Sequence, residues 1–324
     1  MRQDSPLARF SRRLPFPVRL AVTALLALGL LQAGFAALPY GGLLFRGLKA
    51  PARQCSLWQI MRSYGPGAEL KELVQQLTDG SRLVERDEAL GLVRVAGEGW
   101  SYWAPEGGAG LPPRKLVPYL EAEHLWMARH NPAEFVQPGD TVVDCGAHIG
   151  IFTAHALQRG ASRVIAIEPD ASNLECLRRN VAEGIASGRV TVVPMAVWNE
   201  ETTLEFTISD SSSARHSAII KTGNRTVRVA AARLDTILRQ HGAGRVGYLK
   251  MDIEGAERQA VEGARGMLAH SRPRVMLESY PLPDDPAVLP AILRAAHPGY
   301  REICGPCEWS TINRHWTPHV LYFR

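Results

Sequence analysis

Five carboxylates in this chain stand where they could work on one ligand, and two glycines sit beside the first of them. Residues 141–168 read as an apolar strand ending on Asp144, a turn containing Gly146 and Gly150, a short amphipathic helix, and a second apolar strand ending on Glu168. A unit of this kind seats a nucleotide-like ligand over the turn, and a carboxylate ending the second strand accepts hydrogen bonds from ribose hydroxyls. Glycine lets the backbone approach the ligand where a Cβ would collide. A pyrophosphate-binding turn favours G-x-G-x-x-G, whereas here Asp144 precedes the first glycine by two residues and would repel a diphosphate. A cationic donor suits it better, because opposite charges attract. S-adenosylmethionine, with an α-ammonium and a sulfonium, is the cofactor this turn predicts.

The second chemical segment is Lys250-Met251-Asp252-Ile253-Glu254-Gly255-Ala256-Glu257. If the strand persists, Asp252 and Glu254 share a face and point into the cleft. Methyl transfer is an in-line displacement, so alignment supplies most of the acceleration, roughly 7–11 kcal/mol in favourable cases. A carboxylate that removes the acceptor's proton adds about 10²–10⁴-fold. Asp252 or Glu254 is the candidate base, with Glu278 in support. The competing reading has Glu254 and Glu257 favourably placed at a helix N-terminus. No ligand cluster supports a metal on this pair.

These residues need a scaffold, and the remainder of the chain supplies a strand–helix alternation typical of a mostly parallel sheet. Strands are predicted at 190–195, 246–252 and 275–278, with helices near 171–184, 255–268 and 287–296. Segments 300–303 and 319–323 are predicted to close the sheet as an antiparallel pair. Asp144, Glu168, Asp252 and Glu278 then fall at the carboxyl ends of strands, where such sheets bind ligands. The fold class is α/β, Rossmann-like, with an N-terminal hydrophobic helix in addition. Residues 51–114 form a small β-containing preamble, and 115–324 the main domain. Residues 119–130 read as a helix ending before Asn131-Pro132.

At 324 residues the chain has ample length for a core, and 37 Lys+Arg against 32 Asp+Glu make it mildly basic. Much of the excess lies in the first 19 residues, and no nucleic-acid-binding module is visible, so no nucleic-acid partner is expected. Residues 20–38 carry no charge, just long enough for a membrane-crossing helix. A cleaved signal or an interfacial anchor are rival readings of residues 1–50. The expectation is a membrane-associated protein whose catalytic domain faces the cytoplasm, where the cofactor is made. Five cysteines suggest no disulfide framework, and Cys304-Gly305-Pro306-Cys307 reads as a turn with two thiols rather than a redox or zinc pair.

The two chemical segments together resemble the FkbM-type methyltransferase family. Its opening motif, GDxVxDxGAxxGxF, is met from Gly139-Asp140 through Gly150-Ile151-Phe152; its E-P and following Asn by Glu168-Pro169 and Asn173; and its K-x-D-x-E-G-x-E by Lys250, Asp252, Glu254, Gly255 and Glu257. Leu277-Glu278 is also similar, while His148 stands where asparagine is often found. The resemblance implies S-adenosylmethionine-dependent O-methylation of a hydroxyl on a sugar, glycan, lipid-linked or small-metabolite acceptor. It further implies that Asp144, Gly146 and Gly150 line the methionine part, Glu168 the ribose and Ala196 the adenine edge. His148 and Asn173 complete the cofactor set, and the loop 211–216 either closes over the acceptor through Arg215 or His216 or is an ordinary exposed polar loop. Two other functions compete: a nicotinamide-dependent oxidoreductase on the same fold, and a non-catalytic membrane-attached module.

Overall fold

The computed structural model describes residues 55–107, 111–131, 133–209, 213, 216–220, 223–279, 281–310 and 315–324. A helix absent from the sequence reading comes first: α1 (Leu57–Asp79), opened by a capping box in which Ser56 Oγ accepts from Gln59 N–H and Gln59 Oε1 accepts from Ser56 N–H. It runs through Gly65-Pro66-Gly67, a string that reads locally as a turn. Three antiparallel strands follow, β1 (Arg82–Asp87), β2 (Leu92–Gly97) and β3 (Trp100–Pro105), and then α2 (Pro113–His130). Leu70 and Leu73 of α1 pack with Trp126 and Met127 of α2 in one apolar cluster, and Arg129 pairs with Glu69 at 2.5 Å.

The main unit then alternates strand and helix: β4 (Thr141–Cys145), α3 (Ile151–Gln158), β5 (Arg163–Ile167), α4 (Ala171–Asn180), α5 (Ala182–Ala186) and β6 (Val190–Val193). A side sheet of β7 (Ala196–Trp198), β8 (Thr202–Ile208) and β9 (Arg225–Arg233) interrupts it. The alternation resumes with α6 (Leu234–Gln240), β10 (Tyr248–Met251), α7 (Glu257–Glu262), α8 (Arg265–Ser271), β11 (Arg274–Glu278) and α9 (Asp285–Ala296). It ends in β12 (Glu302–Cys304), β13 (Cys307–Ser310), β14 (His315–Pro318) and β15 (Val320–Phe323).

The central sheet has the order β12-β15-β11-β10-β4-β5-β6. β4, β5, β6, β10 and β11 are parallel, and β15 runs antiparallel to both β11 and β12. The fold is therefore α/β with a mixed sheet. The central strands are buried on both faces, which is why they read as mostly apolar runs rather than as an alternating pattern. From β4 the chain moves outward through β5 and β6, then returns to β10 on the other side of β4. That reversal opens a crevice at the carboxyl ends of β4 and β10.

Two expectations are corrected. Among the described residues no helix is long and apolar enough to cross a membrane, so the membrane-associated, cytoplasm-facing placement is set aside as unsupported. The N-terminal hydrophobic helix gains no support either, and residues 20–38 lie outside the described residues. The cysteines also behave differently from the two-thiol turn: Cys307 is joined to Cys55 in a disulfide, and Cys304 is free. The partner of Cys307 lies 252 residues away in sequence, so local spacing could not reveal it.

Candidate active site

The crevice above β4 and β10 is a cleft of about 900 Å³, counting its space open to solvent. The chain enters it from β4 through a turn that only glycine permits at its first step. Gly146 has φ 74°, and a Cβ there would run into the carbonyl of Asp252. Gly150, φ 88°, precedes α3; a Cβ on it would meet the Leu177 side chain, so this glycine sets how closely α3 and α4 pack and does not line the cleft. His148 between them also adopts a left-handed φ of 50°.

Asp144 lies beneath the turn, wholly buried. Thr153 donates to its Oδ2 at 2.7 Å, and Lys250 Nζ stands 3.3 Å from Oδ1. The same ammonium donates to Gly146 O at 2.8 Å and lies 3.9 Å from Asp252 Oδ2. Burial works against the Lys250 charge, but Asp144, Asp252 and Glu278 together raise its pKa above the ordinary value. Asp144 is thus placed behind the cleft wall, its charge answered by a lysine. Sequence reading took Lys250 only as part of a motif; the chain brings it 104 positions back to Gly146, and the parallel register of β4 and β10 sets them side by side.

Glu168, at the end of β5, does line the cleft. Its Oε2 accepts from His148 N–H at 2.9 Å and its Oε1 from Asp170 N–H at 2.9 Å. Burial pushes its pKa up to about 7, against the pull of those two backbone hydrogen bonds. Asp170 itself caps α4, accepting from Ser172 and Asn173 N–H, as an acidic residue at that position should. Asn173 turns its amide toward Glu168 Oε1 (3.4 Å) and Ser213 O (3.2 Å), and its buried Oδ1 has no partner among the described residues. Burial, then the charges of His216 and Lys250, lowers the His148 pKa to about 3, so the ring is neutral. Its Nε2 lies 2.9 Å from Ser213 Oγ. Of the loop 211–216, Ser213 and His216 line the cleft, while Arg215 lies outside the described residues.

The far wall is apolar: Met195, Ala196, Val197 and Trp198 lead into and along β7, with Leu204 and Phe206 from β8. At the opposite end stand Asp252 and Glu254, held by a tight loop. Glu254 has φ 53°, and the buried Glu257 accepts from Ile253 N–H at 2.8 Å and Gly255 N–H at 3.0 Å. That geometry answers the helix-terminus reading residue by residue: Glu257 secures the loop, and Glu254 lines the cleft. The Asp252 side chain is 34% exposed; the protein closing around it raises its pKa, Lys250 opposing. Glu278 does not line this cleft. It is buried one strand over, and burial followed by the charge of Asp252 raises its pKa well above the usual range.

The model of the family described as methyltransferase FkbM domain matches residues 144–302. Over those residues the chain resembles the FkbM methyltransferases. Among relatives, the 31-O-demethyl-FK506 methyltransferase FkbM of Streptomyces tacrolimicus is 24% identical over 157 residues, covering 40% of this chain. This chain spans about 60% of that relative's length. Among solved structures, methyltransferase FkbM from Methylobacillus flagellatus KT aligns with a TM-score of 0.43 and 18% identity, covering 82% of this chain and 60% of the other.

The chain brings the two sequence segments to one cleft: Gly146, His148, Glu168, Asn173 and Ala196 from the first with the strand after it, Asp252 and Glu254 from the second. It leaves Asp144, Gly150 and Glu278 outside the lining. Two residues that sequence reading passed over do line it, Glu123 and His124 of α2. Both lie on a stretch predicted as a helix, but nothing local showed that the helix would cross the mouth of the cleft. Among the described residues no group of three or more His, Cys, Asp or Glu is placed to hold a metal ion.

Proposed function

We propose that this chain is an FkbM-type enzyme that transfers the methyl group of S-adenosylmethionine to a hydroxyl of a sugar, glycan, lipid-linked or small-metabolite acceptor. The observation that carries the reading is the single cleft that Glu168 and Asn173 share with Asp252 and Glu254. The unpartnered Asn173 Oδ1 and the Glu168 carboxylate, which keeps lone pairs beyond its two backbone donors, fit a ribose with two hydroxyl groups to donate. The Val197–Trp198 and Phe206 wall suits a flat adenine. Bound there, the donor supplies an electrophilic methyl group.

The chain's own residues do the rest. Gly146, fixed by Lys250, admits the methionine part close to the backbone; Asp144 acts on it through that lysine and not by contact. Asp252 orients the acceptor hydroxyl and takes its proton. The raised pKa of Asp252 suits that role, since a stronger base transfers more of the proton in the transition state. Glu254 flanks the acceptor, and Glu278 supports Asp252 from behind. The relative from Streptomyces tacrolimicus is named for a demethylated oxygen substituent, which favours oxygen as the acceptor atom here too.

Isothermal titration of the full chain with S-adenosylmethionine, S-adenosylhomocysteine and NAD tests the proposal. Saturable binding of the first two with none of NAD is the expected result. Tighter binding of NAD would replace methyl transfer by the oxidoreductase reading.

A further inference from the structure

The charges that line the cleft do not balance. Four carboxylates border it, Glu123, Glu168, Asp252 and Glu254, against one cationic side chain among the described residues, Lys250. That ammonium is already committed to Asp144, the Gly146 carbonyl and Asp252. The histidines of the lining add no charge, since burial holds His124, His148 and His216 below the ordinary imidazole range. Phe152 joins α2 to β10 at the end that holds Asp252. The His124 and Phe152 rings are 5.6 Å apart, and Lys250 Nζ lies 5.9 Å from the centre of the Phe152 ring. Here the polar contacts of Glu123 both fall on Oε1: the Tyr119 hydroxyl donates to it at 3.1 Å, and His319 Nε2 lies 3.5 Å away. Its Oε2 is left without a hydrogen bond among the described residues. Glu123 borders a second cleft of about 540 Å³ as well, so its carboxylate stands at an opening and not in the core. Beside it on α2, His124 is 8% exposed, and its Nδ1 has no partner among the described residues.

We propose that the methyl acceptor carries an ammonium group beside the hydroxyl to be methylated, and that Glu123 holds the ammonium while Asp252 takes the hydroxyl proton. The inference rests on the methyl-transfer reading and adds the acceptor's charge to it. An ionised carboxylate only accepts hydrogen bonds, and Lys250 has no proton to spare, so the ligand must bring the donors at this end. Hydroxyls and an ammonium do so. A phosphate or carboxylate would meet like charge with nothing to neutralise it. The one net positive charge of S-adenosylmethionine still leaves the carboxylates in excess. The neutral His124 ring adds one more acceptor in the tautomer that leaves Nδ1 unprotonated. In the transfer itself the hydroxyl oxygen bonds to the methyl carbon, the carbon–sulfur bond breaks to leave a neutral thioether, and the hydroxyl proton passes to Asp252. The ammonium nitrogen has no lone pair with which to attack the methyl. Pairing with Glu123 favours that charged form and so directs transfer to oxygen.

The test uses the full chain saturated with S-adenosylhomocysteine and three probes of one shape: trans-2-aminocyclohexanol, the corresponding diol and the corresponding hydroxy acid. Each is titrated at about pH 7 and followed by nuclear magnetic resonance. The amine is expected to bind at least about tenfold more tightly than the diol, the lower end for a hydrogen bond to a charged group, and the acid more weakly than either. Glu123→Gln keeps the side chain's shape and removes its charge, so the ratio of amine to diol affinity should fall at least about threefold. A ratio taken within one protein cancels any general loss of packing, and the comparison in the parent decides the matter even where the variant does not fold. Equal binding of amine and diol, preference for the acid, or binding of none of the three overturns the proposal while leaving methyl transfer intact. So does an amine that binds only when S-adenosylhomocysteine is absent, because it then occupies the donor's own ammonium site. A ratio unchanged in Glu123→Gln overturns the role of Glu123, and the proposal with it. Failure of the unaltered chain to bind S-adenosylhomocysteine or S-adenosylmethionine removes the methyl-transfer reading, and this inference falls too.

Discussion

Lys250 ties the β4 and β10 sides of the cleft together. Its buried ammonium joins three groups at the ends of two strands, Asp144, Asp252 and the Gly146 carbonyl. A buried charge of this kind is costly unless it is paired, and here each partner also needs the lysine. In the proposed reaction Asp252 and Glu254 carry a different load, acting on the acceptor and not on the donor. Asp252→Asn and Glu254→Gln are expected to bind S-adenosylhomocysteine as the unaltered enzyme does. At least one of the two should slow transfer about 100-fold or more, the lower end of what a positioned base contributes. Isothermal titration and single-turnover methyl transfer check the two halves of that statement, and normal turnover in both variants removes these carboxylates from the chemistry.

At the scale of elements, the site depends on two loops, one leaving β4 and one leaving β10, that touch where glycine leaves no room for a side chain. A Cβ on Gly146 would strike the Asp252 carbonyl, and φ 74° already disfavours alanine. Gly146→Ala is therefore expected to cost about 1–3 kcal/mol of stability, the usual range for overpacking, and to weaken donor binding as well. Urea unfolding and isothermal titration measure the two losses; a variant matching the parent in both would mean that the loops do not meet as described. The β10 loop is tied from within by Glu257, whose pKa burial pushes up to about 8. The folded protein therefore holds this proton more tightly than the unfolded chain does. The group's contribution to stability is greatest below the ordinary carboxyl range and declines as pH rises toward 8. Glu257→Gln cannot ionise, so its stability deficit relative to the parent should shrink by at least about 1 kcal/mol between pH 5 and pH 8. Thermal unfolding of both proteins across that range checks the sign, and a deficit that widens with pH contradicts it.

At the scale of the whole molecule, contacts join the first and last of the described elements. The Cys55–Cys307 bridge fastens the start of α1 to the β13–β14 pair, and Cys307 N–H donates to Ser63 Oγ at 2.8 Å beside it. A link across so long a stretch constrains the unfolded chain strongly, typically by about 2–4 kcal/mol. Reduction is expected to lower the unfolding temperature of the parent and leave Cys55→Ser unmoved, as calorimetry with and without dithiothreitol would show. Equal responses would mean that the bridge adds nothing to the fold.

The residues 141–168 were legible because every signal in them is local. Apolar runs of strand length, glycines at a turn and a carboxylate after each strand can be read within one window, and the K-x-D-x-E-G-x-E segment is as compact. From local signals of this kind the sequence by itself determined the α/β class, the antiparallel close of β12 on β15, and that Gly146, His148, Glu168 and Asn173 share one cleft with Asp252 and Glu254. Only the tertiary structure decided that Lys250 answers Asp144, that Glu278 stands behind the cleft, that α1 packs on α2, and that Glu123 meets His319 and Cys55 meets Cys307. The physical reason is the same in each case. Strand order sets which distant side chains share a space, and it is fixed by burial over the whole sheet, which leaves no mark on the spacing of neighbouring residues.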